Sequence, residues 1–141
     1  MILCDAGPLI ALVVPRETQN HLACRKVVDS LREQLLTTWP CLTEAFHVTA
    51  RLSGWAAQKK LWDMVLHPKS LLMVHVPSPV EIRRMEALMT QYWDRPMDLA
   101  DASLVSLAES RRATRIFTLD SDFLTYRNAR GQSFKVIPAQ G

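Results

Sequence analysis

The chain has 141 residues, of which 48% are hydrophobic and 22% are charged, and its formal net charge is +3. This composition excludes an intrinsically disordered chain, which would need fewer apolar and more charged residues, and the length is typical of one domain. Because so small a net charge does not by itself indicate a nucleic-acid-binding protein, we expect only that residues 1–141 form a single globular domain.

Short strands and helices alternate through the first half of the chain. The opening strand is apolar and ends at Asp5, and Gly7-Pro8 is expected to turn the chain into the first helix. Pro40 suits the first turn of a later helix, which places Glu44 in the first or second turn of that helix. The predicted elements are a strand at 2–4, helices at 9–14 and 18–30, a strand at 35–39 and a helix from residue 40.

The second half of the chain continues this alternation. One predicted helix carries an apolar face that includes Ile82 and Met85, and the clearest helical pattern begins at Asp98 with apolar positions from Leu99 to Ala108. The predicted elements are helices at 54–66, 78–93 and 98–110, strands at 71–76, 115–119 and 134–137, and a turn at 120–123.

This order of elements predicts an α/β fold. Strands that alternate with helices form a parallel sheet with right-handed crossovers, so we expect a three-layer α/β/α sandwich with a central, mostly parallel sheet. In such sheets ligands bind beyond the carboxyl ends of the strands. The sequence contains no P-loop, GxGxxG turn or GxSxG elbow, which leaves nucleotide-hydrolase, dinucleotide-binding and serine-hydrolase functions without support.

Acidic residues recur where predicted strands end or where the following helices begin. Asp5 ends the first strand, Asp120 and Asp122 follow a late strand, and Glu44 and Asp101 lie near helix starts. Two carboxylates about 4 Å apart near a protein surface repel by roughly 4 kcal/mol, so a converging set needs protons or a cation. An oxygen-only ligand set suits Mg²⁺ or Mn²⁺, which can activate water for attack on a phosphodiester.

Each of these acids also has an ordinary structural explanation. Asp5 could simply cap the helix that follows it, and Glu44 alone could be a solvated carboxylate on a helix. Asp98 stands at the expected N-cap of its helix, so we assign it to capping or to support of a neighbouring ligand. Asp101, three residues later, is the favoured ligand of the two.

Four acidic stretches resemble the successive motifs of PIN-domain nucleases. They are MILCDAGPLIAL, TEAFH, MDLADASLVSLAE and IFTLDSDF, and they occur in the order found in that family. By position, the resemblance implies that Asp5, Glu44 and Asp101 are the first three catalytic acids. The fourth is Asp120 or Asp122, because the last motif contains both.

The resemblance also implies a function. Family members use Mg²⁺ or Mn²⁺ to cleave RNA, which makes Asp5, Asp101, Asp120 and Asp122 the candidate metal ligands and Glu44 a further catalytic acid. The compact length is similar to VapC-type toxins, which commonly form homodimers and are held inactive by a separate antitoxin protein. We therefore predict an endoribonuclease that is the toxin of a VapBC-type toxin-antitoxin pair.

The cysteines and the N-terminus bear on the compartment. Cys4, Cys24 and Cys41 are odd in number, lack CxxC spacing and stand among apolar residues, so buried free thiols and a reducing compartment are expected. Met1 leads directly into a strand, without the features of an export signal or a membrane span. The sequence thus favours a cytoplasmic protein with no membrane partner.

Three alternatives remain open. The same nuclease could act alone in RNA processing, without an antitoxin, or the chain could be a non-catalytic binding module that retains the fold. A phospho-acceptor receiver domain also gathers aspartates at strand ends. That class expects adjacent acids at the end of the first strand and a lysine after a late strand, whereas Cys4 precedes Asp5 here.

Overall fold

The computed structural model describes residues 1–14 and 18–138; the rest of the predicted 1–141 domain lies outside the described residues. Within these ranges the chain forms strands β1 (Ile2–Cys4), β2 (Leu35–Thr38), β3 (Leu72–His75), β4 (Arg115–Phe117) and β5 (Lys135–Ile137), and helices α1 (Ala6–Val13), α2 (Thr18–Ser30), α3 (Trp39–Leu66), α4 (Pro79–Gln91) and α5 (Leu99–Arg111). A short 3₁₀ turn, Ser121–Leu124, precedes β5.

The five strands form one parallel sheet in the order β3-β2-β1-β4-β5. Side chains of β1 alternate between two hydrophobic clusters, with Ile2 and Cys4 on one side and Leu3 on the other. Helices α1, α2 and α3 contribute to the Ile2 cluster, whereas α4 and α5 contribute to the Leu3 cluster. The predicted α/β/α sandwich with a parallel sheet is therefore confirmed.

Helix α1 begins three residues earlier than the sequence suggested. Asp5 has an extended backbone and its side chain accepts a hydrogen bond from the Ala6 N–H, so it is the N-cap, and Gly7 and Pro8 lie in the first turn of the helix. Proline is tolerated there because first-turn N–H groups have no intrahelical acceptor. The predicted start at Leu9 was wrong for this reason, and Asp5 joins β1 directly to α1.

Helix α3 is interrupted at Gly54, where the sequence predicted that a new helix begins. Gly54 has φ 69° and ψ −157°, a left-handed conformation that residues with a side chain rarely adopt. A glycine is needed at this position because the chain changes direction between the segment that carries Glu44 and the segment that packs through Leu61.

The apolar face predicted for the helix at 78–93 is covered by the rest of the chain only in part. Ile82 and Leu99 are 54% and 52% exposed, and together with Met89 and Trp93 they line an open groove on α4 and α5. Met85 and Leu88 fill the interface between these helices, so the Ile82 edge of the same stripe is left uncovered. We call Ile82, Met89, Trp93 and Leu99 the apolar strip.

Cys4, Cys24 and Cys41 are all buried free thiols, as predicted. In the part of the chain that the structure describes, no helix combines the length and the apolar character that crossing a membrane requires.

A buried hydroxyl in β2 leads to a stability prediction. Thr37 is fully buried, and its hydroxyl oxygen has no hydrogen-bond partner among the described residues. Thr37→Val replaces that hydroxyl with a methyl group and keeps the β-branched shape. We therefore expect the free energy of unfolding, measured by urea denaturation, to rise by about 1 kcal/mol.

The neighbouring threonine provides the control for that measurement. The Thr38 hydroxyl lies 2.6 Å from Ser103 Oγ and also accepts the Cys41 N–H at the start of α3. Thr38→Val should therefore destabilise the protein, by about 1–2 kcal/mol for a lost helix cap and hydrogen bond. A Thr37→Val protein that is less stable than wild type would show that the Thr37 hydroxyl has a partner after all.

Candidate metal centre

Three aspartates from separate elements meet at the carboxyl end of the central strands. Asp5 follows β1, Asp101 lies in the first turn of α5, and Asp120 caps the 3₁₀ turn after β4. One carboxylate oxygen from each lies within 4.8 Å of those of the other two. Strand order reverses between β1 and β4, which is where parallel sheets bind ligands. We call Asp5, Asp101 and Asp120 the acidic trio.

The other two predicted catalytic acids lie outside this trio. Asp122 is exposed, and its backbone N–H donates a hydrogen bond to Asp120 Oδ1 at 2.9 Å. Glu44 is exposed on the second turn of α3. Partial burial, followed by the negative charge of Asp5, raises the pKa of Glu44, which shows that Glu44 is within electrostatic range of the trio. The geometry therefore groups Asp120, rather than Asp122, with Asp5 and Asp101.

Asp98 occupies the position that the sequence assigned to it. Its side chain caps α5 by accepting the Asp101 N–H at 2.8 Å. This bond fixes the first turn of the helix and thereby the backbone from which the Asp101 side chain projects. Asp98 is thus adjacent to the trio without being a member of it.

Asp5 is held at both carboxylate oxygens. Oδ1 accepts the Ala6 N–H at 2.7 Å, and Oδ2 accepts the Thr118 hydroxyl at 2.7 Å. The capping explanation for Asp5 is therefore correct but incomplete, since the same carboxylate also belongs to the trio. Burial raises the pKa of Asp5, and the bonds from Thr118 and Ala6 oppose that rise.

Asp101 is buried and its charge is unfavourable in the absence of a cation. Its Oδ2 accepts a hydrogen bond from the Tyr126 hydroxyl at 2.9 Å. Burial, and next the charge of Asp98, raise the pKa of Asp101 to about 7 despite that bond. The raised pKa values of Asp5 and Asp101 both indicate a site where negative charge is crowded and poorly hydrated.

The trio has the ligand chemistry of a site for a hard divalent cation. None of the ion pairs found in residues 1–14 and 18–138 involves Asp5, Asp101 or Asp120. The donors are carboxylate oxygens only, and Mg²⁺ and Mn²⁺ prefer such ligands over nitrogen or sulfur. The residues present therefore fit either of these ions.

A groove of about 570 Å³ lies between the first turns of α3 and the start of α5; its lining ends at Ala100, next to Asp101 in the chain, and includes no member of the trio. Glu44 and Asp98 line it together with His47, Leu99 and Trp39, and the Trp39 side chain is 44% exposed. An exposed aromatic ring beside a cluster of acids offers a polymeric substrate a stacking surface next to a candidate metal centre.

Sequence reasoning missed two hydroxyl groups that hold the trio. Thr118 could have been found in part, because a threonine two residues before an aspartate often forms a turn. In the structure its hydroxyl accepts a hydrogen bond from the Asp120 N–H at 3.0 Å. Its bond to Asp5 joins residues that are far apart in the chain. No sequence pattern indicates a role for Tyr126, because only the path of the loop after the 3₁₀ turn brings this residue to Asp101.

The chain is similar to known proteins in both sequence and fold. The family model described as "PIN domain" matches residues 2–128. The crystal structure of the toxin VapC20 from Mycobacterium tuberculosis, described as cleaving the sarcin-ricin loop, has a similar fold with a TM-score of 0.78. The two chains are 16% identical, and the match covers 86% of this chain and 92% of that one. No curated protein matches the sequence.

Proposed function

The chain belongs to the PIN domain family, and from this premise we propose that it is a metal-dependent endoribonuclease that hydrolyses RNA phosphodiester bonds. The observation that carries the proposal is the acidic trio, in which carboxylates from three distant elements approach within 4.8 Å at the edge of the sheet where ligands bind. Two of these carboxylates are buried and the third is partly buried. Gathering them in this way is costly for the fold, and a cation-dependent function accounts for their presence.

Each acid has a distinct role in this proposal. Asp5, Asp101 and Asp120 would hold the Mg²⁺ or Mn²⁺ ion, and the Asp122 backbone N–H donates a hydrogen bond that supports Asp120. When bound, the ion supplies Lewis-acid stabilisation of the charge that develops on the phosphate. Glu44, which lines the groove on α3, orients the attacking water or accepts its proton.

The groove beside the trio supports RNA as the substrate. Trp39 provides an exposed ring on which an unpaired base can stack, and Glu44 lines the same groove. Stacking is tolerant of base identity, so this surface would position the backbone of a single strand near the acids.

We further propose that the protein is the toxin of a VapBC-type pair. The VapC20 toxin shares the fold over 92% of its own chain. The expected partners are RNA, an antitoxin protein and a second copy of the chain, and the apolar strip supports a protein partner because exposed apolar patches commonly mark interfaces. We place this function in the cytoplasm and in a single domain, which the family match at 2–128 supports.

The test of metal dependence is cleavage of a labelled single-stranded RNA by the purified chain. We expect cleavage with Mn²⁺ or Mg²⁺, complete loss in excess EDTA, and recovery when the metal is restored, since a site made of carboxylates needs a cation to stabilise the charge that develops on the phosphate. Asp101→Asn protein prepared in parallel controls for contaminating ribonucleases. Cleavage that persists in EDTA, or no cleavage with either metal, would contradict the proposal.

A further inference from the structure

Tyr126 lies behind the acidic trio, and its hydroxyl is directed at one of the three carboxylates. The side chain is 2% exposed, and its hydroxyl donates a hydrogen bond to Asp101 Oδ2 at 2.9 Å. The two residues are 25 positions apart, Asp101 on α5 and Tyr126 in the loop after the 3₁₀ turn. This bond occupies one oxygen of Asp101 and leaves Oδ1 for a cation.

The ring of Tyr126 is fixed by other aromatic side chains. Phe123 meets it edge-on at a centroid distance of 5.3 Å and an interplanar angle of 85°, and Tyr92 does so at 5.1 Å and 68°. Edge-to-face contacts of this kind are favourable and directional. The hydroxyl therefore reaches Asp101 from a ring that has little freedom to rotate away.

The segment from Asp120 to Tyr126 acts on two members of the trio at once. It supplies the Asp120 carboxylate itself, and it holds the Asp101 carboxylate through the Tyr126 hydroxyl. Within the segment the Tyr126 N–H donates to the Asp122 carbonyl oxygen at 3.2 Å, and the Asp122 N–H donates to Asp120. The positions of the Asp101 and Asp120 carboxylates are thus linked by a short, hydrogen-bonded stretch of chain.

We propose that Tyr126 is a positioning residue that orients the Asp101 carboxylate for binding of a divalent cation. The inference rests on the proposed function, because it presupposes that the trio binds the ion. An aspartate without this bond can rotate about its last side-chain torsion and must be ordered when the ion binds. Hydrogen bonds to metal ligands typically contribute about 10- to 100-fold to metal affinity.

The test compares two tyrosines that differ in the partner of their hydroxyl group. Tyr126→Phe keeps the aromatic contacts and removes only the bond to Asp101, so we expect its Mn²⁺ dissociation constant, measured by calorimetry without RNA, to rise about 10- to 100-fold. Tyr92→Phe removes a hydroxyl that accepts the Arg127 N–H at 3.1 Å and touches no carboxylate of the trio. Its Mn²⁺ dissociation constant should equal that of wild type.

The outcomes separate this inference from the function on which it rests. Weakened Mn²⁺ binding in Tyr126→Phe alone supports the positioning role, as does recovery of RNA cleavage by that variant at high Mn²⁺. If Tyr126→Phe binds Mn²⁺ as wild type does, or if both variants weaken equally with equal loss of thermal stability, the positioning role is wrong while the nuclease proposal stands. If wild type and Asp101→Asn bind Mn²⁺ equally, both proposals fail.

Discussion

Asp101→Asn is expected to reduce RNA cleavage by on the order of 100-fold or more, because it removes one of the charges that hold the cation. The substitution changes little volume, and the amide oxygen can still accept the Tyr126 hydroxyl. Burial raises the pKa of Asp101 from its ordinary value of 3.8 to about 7, so this group lowers the stability of the metal-free fold as pH rises from 3.8 to about 7, and the full cost persists above that pH. At pH 8 without metal, Asp101→Asn should therefore be at least as thermally stable as wild type.

The control for this prediction is an aspartate on the surface of α3. Asp63 is exposed and pairs with Lys59 one turn away, so Asp63→Asn makes the same chemical change far from the trio and should retain full cleavage. If the protein is a toxin, expression of wild type or Asp63→Asn should slow bacterial growth, whereas Asp101→Asn should not. Full cleavage by a folded Asp101→Asn protein in Mn²⁺ would remove Asp101 from the site.

Asp120→Asn and Asp122→Asn are expected to differ sharply, although the two residues are almost adjacent. Asp120 is in the trio, and its substitution should reduce cleavage about as much as Asp101→Asn does, by on the order of 100-fold. Asp122 contributes its backbone N–H to Asp120, and that donor survives a change of side chain. Asp122→Asn should therefore keep cleavage within about threefold of wild type, well below the loss from a removed ligand.

Rates measured at saturating RNA over a range of Mn²⁺ concentrations would decide between these two acids. An Asp122→Asn protein as inactive as Asp120→Asn would mean that both carboxylates bind metal. The negative charge of Asp120, more than burial, raises the pKa of Asp122. The two side chains are therefore close enough that the measurement can distinguish one metal-binding carboxylate from two.

The fold and the acidic cluster could be anticipated because local patterns and general topology were sufficient. Alternation of strands and helices implies a parallel sheet, and residues that follow parallel strands share one edge, which is why Asp5 and Asp120 were expected to meet. The choice between Asp120 and Asp122 could not be made in the same way. It depends on how the 3₁₀ turn rotates two side chains that the sequence places two positions apart.

Two other features could not be predicted from the sequence, for different reasons. The apolar patterns of the two helices show that Ile82 and Leu99 prefer to be away from water. They do not show whether another part of the same chain covers these side chains, and in the structure both are exposed. The contact of Tyr126 with Asp101 depends on the path of a loop, which no periodic pattern encodes. Hydrogen bonds between distant side chains are visible only in three dimensions.

The trio draws its members from segments that are far apart in the chain, with Asp5 before α1 and Asp120 after β4. During synthesis, a ribosome has released β1, α1 and most of the core before the segment that carries Asp120 and Tyr126 emerges. A chain made only as far as α5 therefore lacks the assembled cluster, because neither Asp120 nor the Tyr126 hydroxyl that bonds to Asp101 has yet been added.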